Sequence, residues 1–300
     1  MAKGICVNIG VNNVDPAHYC GGAPALKGCV NDACAMRALA KAHGFDAKDP
    51  LLDDKAVSQA VLGAIDGAAS TLERGDTFLL TFSGHGGMVL DTNGDERVAP
   101  DETWCLYDRQ LLDDELCERW GCFKRGVRIV VLSDSCFSGG VLRLFEKYSR
   151  ARSDAIEWLD SVRRKLQREM AARNKLAGGV PAAAVYRTLG PDLALCVNAA
   201  HAREYAAIQE RIQKAGPVTI GATVLLLSAC QEGRLARDCE PNGLFTAALL
   251  AAWADGPYLG SYVDLANAIN RQTSRYQEPF LDDSVGVWDP EFKLEKPFTI

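Results

Sequence analysis

Four short apolar, β-branched runs, each closed by a turn signal, constrain the fold of this 300-residue chain more than any other feature. They are Ile5–Val11, Thr77–Phe82, Val127–Leu132 and Thr223–Leu227. Runs of this length and composition predict strands buried on both faces, as in parallel sheets. Two segments with helical spacing lie between the first and second runs. One covers about Asn31–His43 and stops at Gly44; the other covers about Ala56–Leu72, with apolar residues at 57, 61, 64, 65, 68 and 72. Strands alternating with helices imply an α/β sheet with right-handed crossovers. Later helices are predicted at about Leu244–Ala254 and Tyr262–Gln272. No internal repeat is evident, and a single domain over 1–300 is expected.

Two stretches depart from this rhythm. Residues 91–115 carry nine Asp/Glu against two Arg, and read as an acidic loop leading into a short helix. Residues 143–175 carry ten Lys/Arg against five Asp/Glu, with Ile156, Leu159, Val162 and Leu166 at helical spacing. They read as a surface helix within a basic helical insert spanning about 143–215. The net charge of −6 and pI near 5.4 argue against a nucleic-acid or anionic-membrane partner. No stretch approaches the roughly 18 apolar residues of a membrane span. The apolar run at Ile5 is too short for a signal-peptide core, so a cytoplasmic location is expected. The eleven cysteines are odd in number and form no C-x-x-C pair, so neither a disulfide framework nor zinc is expected.

In open α/β sheets, ligands sit beyond the carboxyl ends of the strands. The second run ends Ser83-Gly84-His85-Gly86-Gly87, and the third ends Ser133-Asp134-Ser135-Cys136-Phe137-Ser138-Gly139-Gly140. Each offers one reactive side chain in a glycine turn. Were the strands neighbours, imidazole and thiol would face each other across a cleft. A thiol beside an imidazole can serve as nucleophile, with the imidazole later protonating the leaving amine. The backbone N–H groups of Gly86 and Cys136 are placed to receive the developing oxyanion. Taken singly, His85 also reads as a turn residue and Cys136 as core packing.

The segments Ser83-Gly84-His85-Gly86 and Asp134-Ser135-Cys136-Phe137-Ser138-Gly139 resemble the S-G-H-G and D-S-C-H-S-G motifs of metacaspases. Ala25-Leu26-Lys27-Gly28-Cys29-Val30-Asn31-Asp32-Ala33 resembles the segment after the first strand of that family. Asp101-Glu102-Thr103 and Asp113-Asp114-Glu115-Leu116 resemble its acidic loop. The matches run from about residue 4 to 142 and resume over 223–252. Among the branches, the chain looks most like the short bacterial forms called orthocaspases. The resemblance implies the caspase-type (caspase–haemoglobinase) fold, a mainly parallel central sheet flanked by helices. It also implies a cysteine endopeptidase working through His85 and Cys136, with protein or peptide substrates.

Carried over residue by residue, the pocket for the residue before the cut falls on Cys29, Asp32, Ser83 and Asp134. Two carboxylates at the base of a cleft attract Arg or Lys. Taken alone, Asp32 also reads as a helix N-terminal carboxylate and Asp134 as a turn cap. Asp101, Asp113 and Asp114 match members of the family's Ca²⁺ site. Its last position is Arg143, which opposes a hard cation, so no cofactor is expected to be required and Ca²⁺ stays an alternative. Phe137 replaces the usual His after the nucleophile. Ala229-Cys230-Gln231-Glu232-Gly233 is a decoy, since Cys136 has the better flanks. Self-cleavage is expected in the basic insert, near Arg150–Arg152 or Arg173–Lys175. The alternative from another class is an inactive scaffold that binds a partner through that insert.

Overall fold

A computed structural model describes residues 2–90, 101–136, 185–230, 235–253, 258–274 and 276–300. The first half contains β1 (Gly4–Gly10), α1 (Cys29–Ala42), β2 (Asp46–Ala47), β3 (Leu51–Leu52), α2 (Ser58–Thr71) and β4 (Thr77–Ser83). Next come β5 (Gly86–Val89), β6 (Asp101–Cys105), β7 (Gln110–Leu112), α3 (Asp113–Gly121) and β8 (Arg128–Asp134). The remainder supplies α4 (Pro191–Ala215), β9 (Thr223–Ser228), α5 (Leu244–Ala251), α6 (Tyr262–Thr273) and β10 (Phe280–Asp282). The four expected strands are β1, β4, β8 and β9, each within two residues of its expected ends.

The main sheet has the order β10-β9-β8-β4-β1-β2, with β3 also pairing β1. Every pairing in it is parallel except β10 with β9. Alternation along the strands sorts side chains to two faces. Phe78, Leu80 and Phe82 of β4, with Ile129 and Val131 of β8, pack against α2, α3 and α4. Leu79, Val130 and Leu132 point the other way, toward α1, α5 and α6. Helices thus cover both faces, which explains why these strands read as continuous apolar runs.

The acidic stretch differs from the expected loop. Its second half forms β6 and β7, which join β5 in a small antiparallel sheet. The apolar residues Trp104, Cys105, Leu111 and Leu112 are buried in this sheet, while acidic neighbours masked their short alternation. Trp104 stacks on Phe82 with ring centroids 4.5 Å apart and donates its indole N–H to Ser133 Oγ at 3.1 Å. These contacts tie the small sheet to the carboxyl ends of β4 and β8.

The basic insert also differs from a surface appendage in its described part. Residues 193–199 of α4 are buried, and Asn198 exchanges hydrogen bonds with Met88 O (2.8 Å) and Leu90 N–H (3.0 Å). Pro191 in the first turn suits a helix start. The expected helix over 143–175 lies outside the described residues.

Phe78 is fully buried and packs on Phe123 (5.1 Å between centroids) and Trp120 (6.5 Å). Phe78→Ala is expected to remove about 3–5 kcal/mol of stability, read as a lower urea midpoint with an unchanged slope. A cost under about 1 kcal/mol would mean that α3 does not pack on β4 as described.

Candidate active site

Ser83 and Asp134 end two adjacent parallel strands and pair with each other in register. His85 and Cys136 each follow two residues later, so the sheet itself brings imidazole and thiol to one edge. Both are buried. His85 Nε2 lies 2.8 Å from Pro24 O. A carbonyl only accepts, so Nε2 carries the proton and Nδ1 presents its lone pair. Among the described residues, Nδ1 has no hydrogen-bond partner. Burial, followed by repulsion from the Arg187 guanidinium, lowers the His85 pKa to about 4 despite the Pro24 carbonyl. Burial likewise pushes the Cys136 thiol well above its ordinary value. In this state both groups are neutral. Cys136 Sγ accepts the Ala236 N–H and lies against Cys230.

The pocket residues are brought together by a side chain that sequence reasoning missed. Arg187 is fully buried between α1, β8 and the segment before α5. Its guanidinium reaches Asp32 Oδ2 at 2.8 Å, Asp134 Oδ2 at 2.9 Å and Asp238 Oδ1 at 3.1 Å. It also donates to Ser83 Oγ at 2.7 Å and Asp134 O at 3.1 Å. Asp32 sits in the first turn of α1, yet its side chain accepts from Asn242 Nδ2 (2.9 Å) and Gly243 N (3.0 Å) as well as from Arg187. Asp134 both holds Arg187 and caps α5, accepting from Thr246 N at 3.1 Å and Thr246 Oγ1 at 2.7 Å. Cys29 lies beside Arg187 and Ser83, and burial pushes its thiol up to about 12.

The walls are glycine because the guanidinium lies flat between them. A Cβ on Gly243 would stand 2.4 Å from the Arg187 guanidinium carbon, and one on Gly28 would stand 2.8 Å from its Nη2. Beneath the pocket, a cavity of only about 10 Å³ remains between Asp32, Ser83, Asp134 and Thr246. That is at or below the room a water needs.

The Arg187 main chain is held as firmly. Its carbonyl accepts from Gly86 N and from Cys136 N, each at 3.0 Å. Its N–H donates to Ala236 O at 3.1 Å, and Asp238 N donates to Val185 O at 3.0 Å. On the opposite side, Leu189 N donates to Gly86 O at 3.0 Å. Residues 185–189 therefore cross the cleft with a bend at Arg187, held by isolated bridges at Tyr186–Arg237 on one side and at Gly86–Thr188 on the other.

With this geometry in place, comparison with known proteins is direct. The caspase-domain profile matches residues 3–285. The chain belongs to the caspase-domain family. Metacaspase-1 of Schizosaccharomyces pombe is 28% identical over 268 residues, covering 83% of this chain and 60% of that protein. Metacaspase-3 of Arabidopsis thaliana is 33% identical over 157 residues, covering 48% of this chain and 43% of that one. The caspase-domain chain thus spans at most about 60% of the curated relatives it matches first. A crystal structure of a Geobacter sulfurreducens protein superposes with a TM-score of 0.79 at 38% identity, covering 99% of this chain and 98% of that one. Caspase-1 of Spodoptera frugiperda shares the fold, with a TM-score of 0.51 at 11% identity over 94% of this chain and 86% of its own.

The residues of the implied Ca²⁺ site are less well gathered. Burial raises the Asp113 carboxyl well above its ordinary value, and repulsion from Asp101, Asp114 and Glu102 adds to this. Glu102 and Asp113 also line a cavity of about 250 Å³ with Trp104 and Trp120. Asp101 Oδ2, however, accepts the Gln209 amide at 2.6 Å. Among the described residues, the trio of metal-capable side chains whose ligand atoms lie within 4.8 Å is His18, His201 and Glu204. Asp101, Asp113 and Asp114 share an acidic neighbourhood without converging on one point. Arg143 and residues 91–100 lie outside the described residues.

Arg187 and Asp238 carried little sequence signal. A single Arg in Val185-Tyr186-Arg187-Thr188 and a lone Asp before Cys239 match no motif. The usable clue was an extended, β-branched run after an Ala/Gly-rich stretch.

The charge balance predicts a pH effect. Burial, then repulsion from Asp32, raises the Asp134 pKa to about 6, while the Arg187 guanidinium lowers it. A carboxyl with a raised folded pKa contributes stability below its unfolded value, and loses it as pH rises through the folded one. Arg187→Met would raise the Asp134 pKa further. The variant is expected to lose about 3–5 kcal/mol at pH 8 and much less at pH 5, where Asp134 takes up a proton. Equal deficits at both pH values in scanning calorimetry would exclude an electrostatic origin.

Proposed function

We propose that this caspase-domain protein is a cysteine endopeptidase that cuts after Arg or Lys, with Cys136 as nucleophile and His85 as acid–base partner. The observation that carries the reading is Arg187. Its side chain fills a pocket with three carboxylates while its carbonyl oxygen sits on the two amides suited to an oxyanion.

The chemistry follows from these contacts. Neutral His85, its tautomer set by Pro24 O, takes the thiol proton through Nδ1 as the sulfur attacks the substrate carbonyl. Charge then develops on the oxygen held by Gly86 N and Cys136 N. His85 returns the proton to the leaving amine, and water resolves the thioester. A guanidinium engages Asp32, Asp134 and Ser83 through fixed, planar donors, whereas an ammonium meets them as a point charge. Arg substrates are therefore expected to exceed Lys substrates by about tenfold in kcat/KM, roughly 1.4 kcal/mol.

Cys136→Ala and His85→Ala are each expected to abolish hydrolysis of an Arg-terminated fluorogenic peptide, with the double variant no worse. Full activity in Cys136→Ala with loss in Cys230→Ala would overturn the assignment. Asp134→Asn is expected to raise KM for Arg peptides by 100-fold or more, since a buried guanidinium loses a counter-charge worth about 3–5 kcal/mol. A preference for Asp before the cut would refute the pocket. EDTA is expected to leave the rate unchanged. A rate restored only by added Ca²⁺ would assign Asp101, Asp113 and Asp114 a metal-binding role.

A further inference from the structure

We propose that His18, His201 and Glu204 form a zinc site that clasps the loop between β1 and α1 to the middle of α4. Among the described residues, the ligand atoms of these three side chains lie within 4.8 Å of one another. Two His and one Glu are a set that Zn²⁺ takes in open sites, with water in the fourth place. Cysteine spacing gave no reason to expect zinc, and this set uses no cysteine.

The hydrogen bonds of His201 carry the inference. Its Nε2 lies 3.0 Å from His18 O. A carbonyl only accepts, so Nε2 bears the proton and a neutral ring turns the Nδ1 lone pair outward. That lone pair meets Glu204 Oε2 at 3.1 Å. Two acceptors so close repel each other unless a cation draws on both. A second ring proton would serve, but it would stack an imidazolium face to face on His18, whose centroid is 3.6 Å away with the planes 18° apart. Burial, then repulsion from His201, lowers the His18 pKa to about 4, so this pair resists a second charge on its rings. A divalent ion instead takes the Nδ1 lone pair and the carboxylate together. The carbonyl on the far nitrogen is the partner that zinc-bound imidazoles ordinarily carry. His18 has a comparable partner in Tyr205 Oη, 2.9 Å from its Nε2.

The backbone is shaped to the same cluster. His201 and Glu204 stand three apart on α4 and share a face of it. At His201 the helix leaves helical dihedrals (φ −117°, ψ 17°). Helices kink at Pro, at Gly or where a side chain intrudes, and residues 198–204 contain neither Pro nor Gly. What remains is the His201 ring, held on His18 O. The local field also suits a cation. Asp108 and Asp15 favour positive charge at His18, while the opposing Arg109 is itself paired with Glu115 at 2.7 Å. Both rings are half-buried and Glu204 is exposed, so an ion can enter from solvent and keep a water. A tetrahedral ion with ligands at about 2.1 Å spaces them about 3.4 Å apart. His201 and Glu204 already stand close to this, and the rings fan out of their stack for His18 to follow. The ion then ties residues 15–22 to α4 and adds stability without entering peptide hydrolysis.

The test titrates the metal-free full-length chain with Co²⁺ and then Zn²⁺, beside His201→Ala and Glu204→Gln. Absorption spectra, titration calorimetry and melting temperature are the readouts. Wild type is expected to bind one ion per chain, with the visible bands of Co²⁺ held by nitrogen and oxygen. Zn²⁺ is expected to displace the Co²⁺ and to raise the melting temperature. His201→Ala is expected to weaken Zn²⁺ binding by about 100-fold or more and Glu204→Gln by about tenfold or more, each losing the rise in melting temperature. Glu204 is exposed and Gln keeps its shape, so this second variant decides the matter even if His201→Ala fails to fold. Absence of binding, or equal affinity in wild type and Glu204→Gln, overturns the site. A near-ultraviolet thiolate-to-cobalt band that persists in both variants, with no other ion bound, assigns the metal to cysteines and overturns it as well.

Discussion

The guanidinium of Arg187 and its three carboxylates form the interaction on which the rest of the cleft depends. Asp32 comes from α1, Asp134 from the end of β8, and Asp238 from the segment before α5. None of the three can lie buried and charged without a counter-ion, because desolvation outweighs any neutral contact they could make. One planar, always-charged group with donors on two nitrogens answers all three at 2.8–3.1 Å. The same carboxylates also accept from Asn242, Gly243, Thr246, Lys27 and Gly28, which fixes their orientation around the guanidinium.

Around that pocket the sheet sets the chemistry. Parallel register places Ser83 beside Asp134, and equal two-residue extensions then place His85 and Cys136. The glycine turns leave amides free to meet a carbonyl, and the Pro24 carbonyl chooses the imidazole tautomer. Burial under residues 185–189 keeps thiol and imidazole neutral, with the His85 pKa lowered to about 4.

Much of this was legible in the sequence, unevenly. The four strands stood out because burial on both faces demands unbroken apolar runs, and the two glycine turns marked their carboxyl ends. The small sheet was hidden, since β6 and β7 are short and their buried Trp104 and Leu111 stand among acidic residues that read as solvated loop. The burial of α4 was hidden too, because the basic residues upstream suggested a surface appendage. Asp101, Asp113 and Asp114 were singled out as a group, and they do share a neighbourhood, but spacing along the chain says nothing about where carboxylate oxygens point.

The sequence alone therefore determined the layered α/β architecture and marked His85 and Cys136 as the candidate reactive side chains of its two glycine turns. Hydrophobic period and turn chemistry are local properties, written over five to ten residues at a time. Tertiary structure decided which charges meet. Asp32, Asp134, Arg187 and Asp238 span more than two hundred positions, and no local pattern links them. Their pairing follows from strand order and register. Arg187 is what those leave at the one place where a buried cation can be neutralised and its carbonyl can reach two free amides.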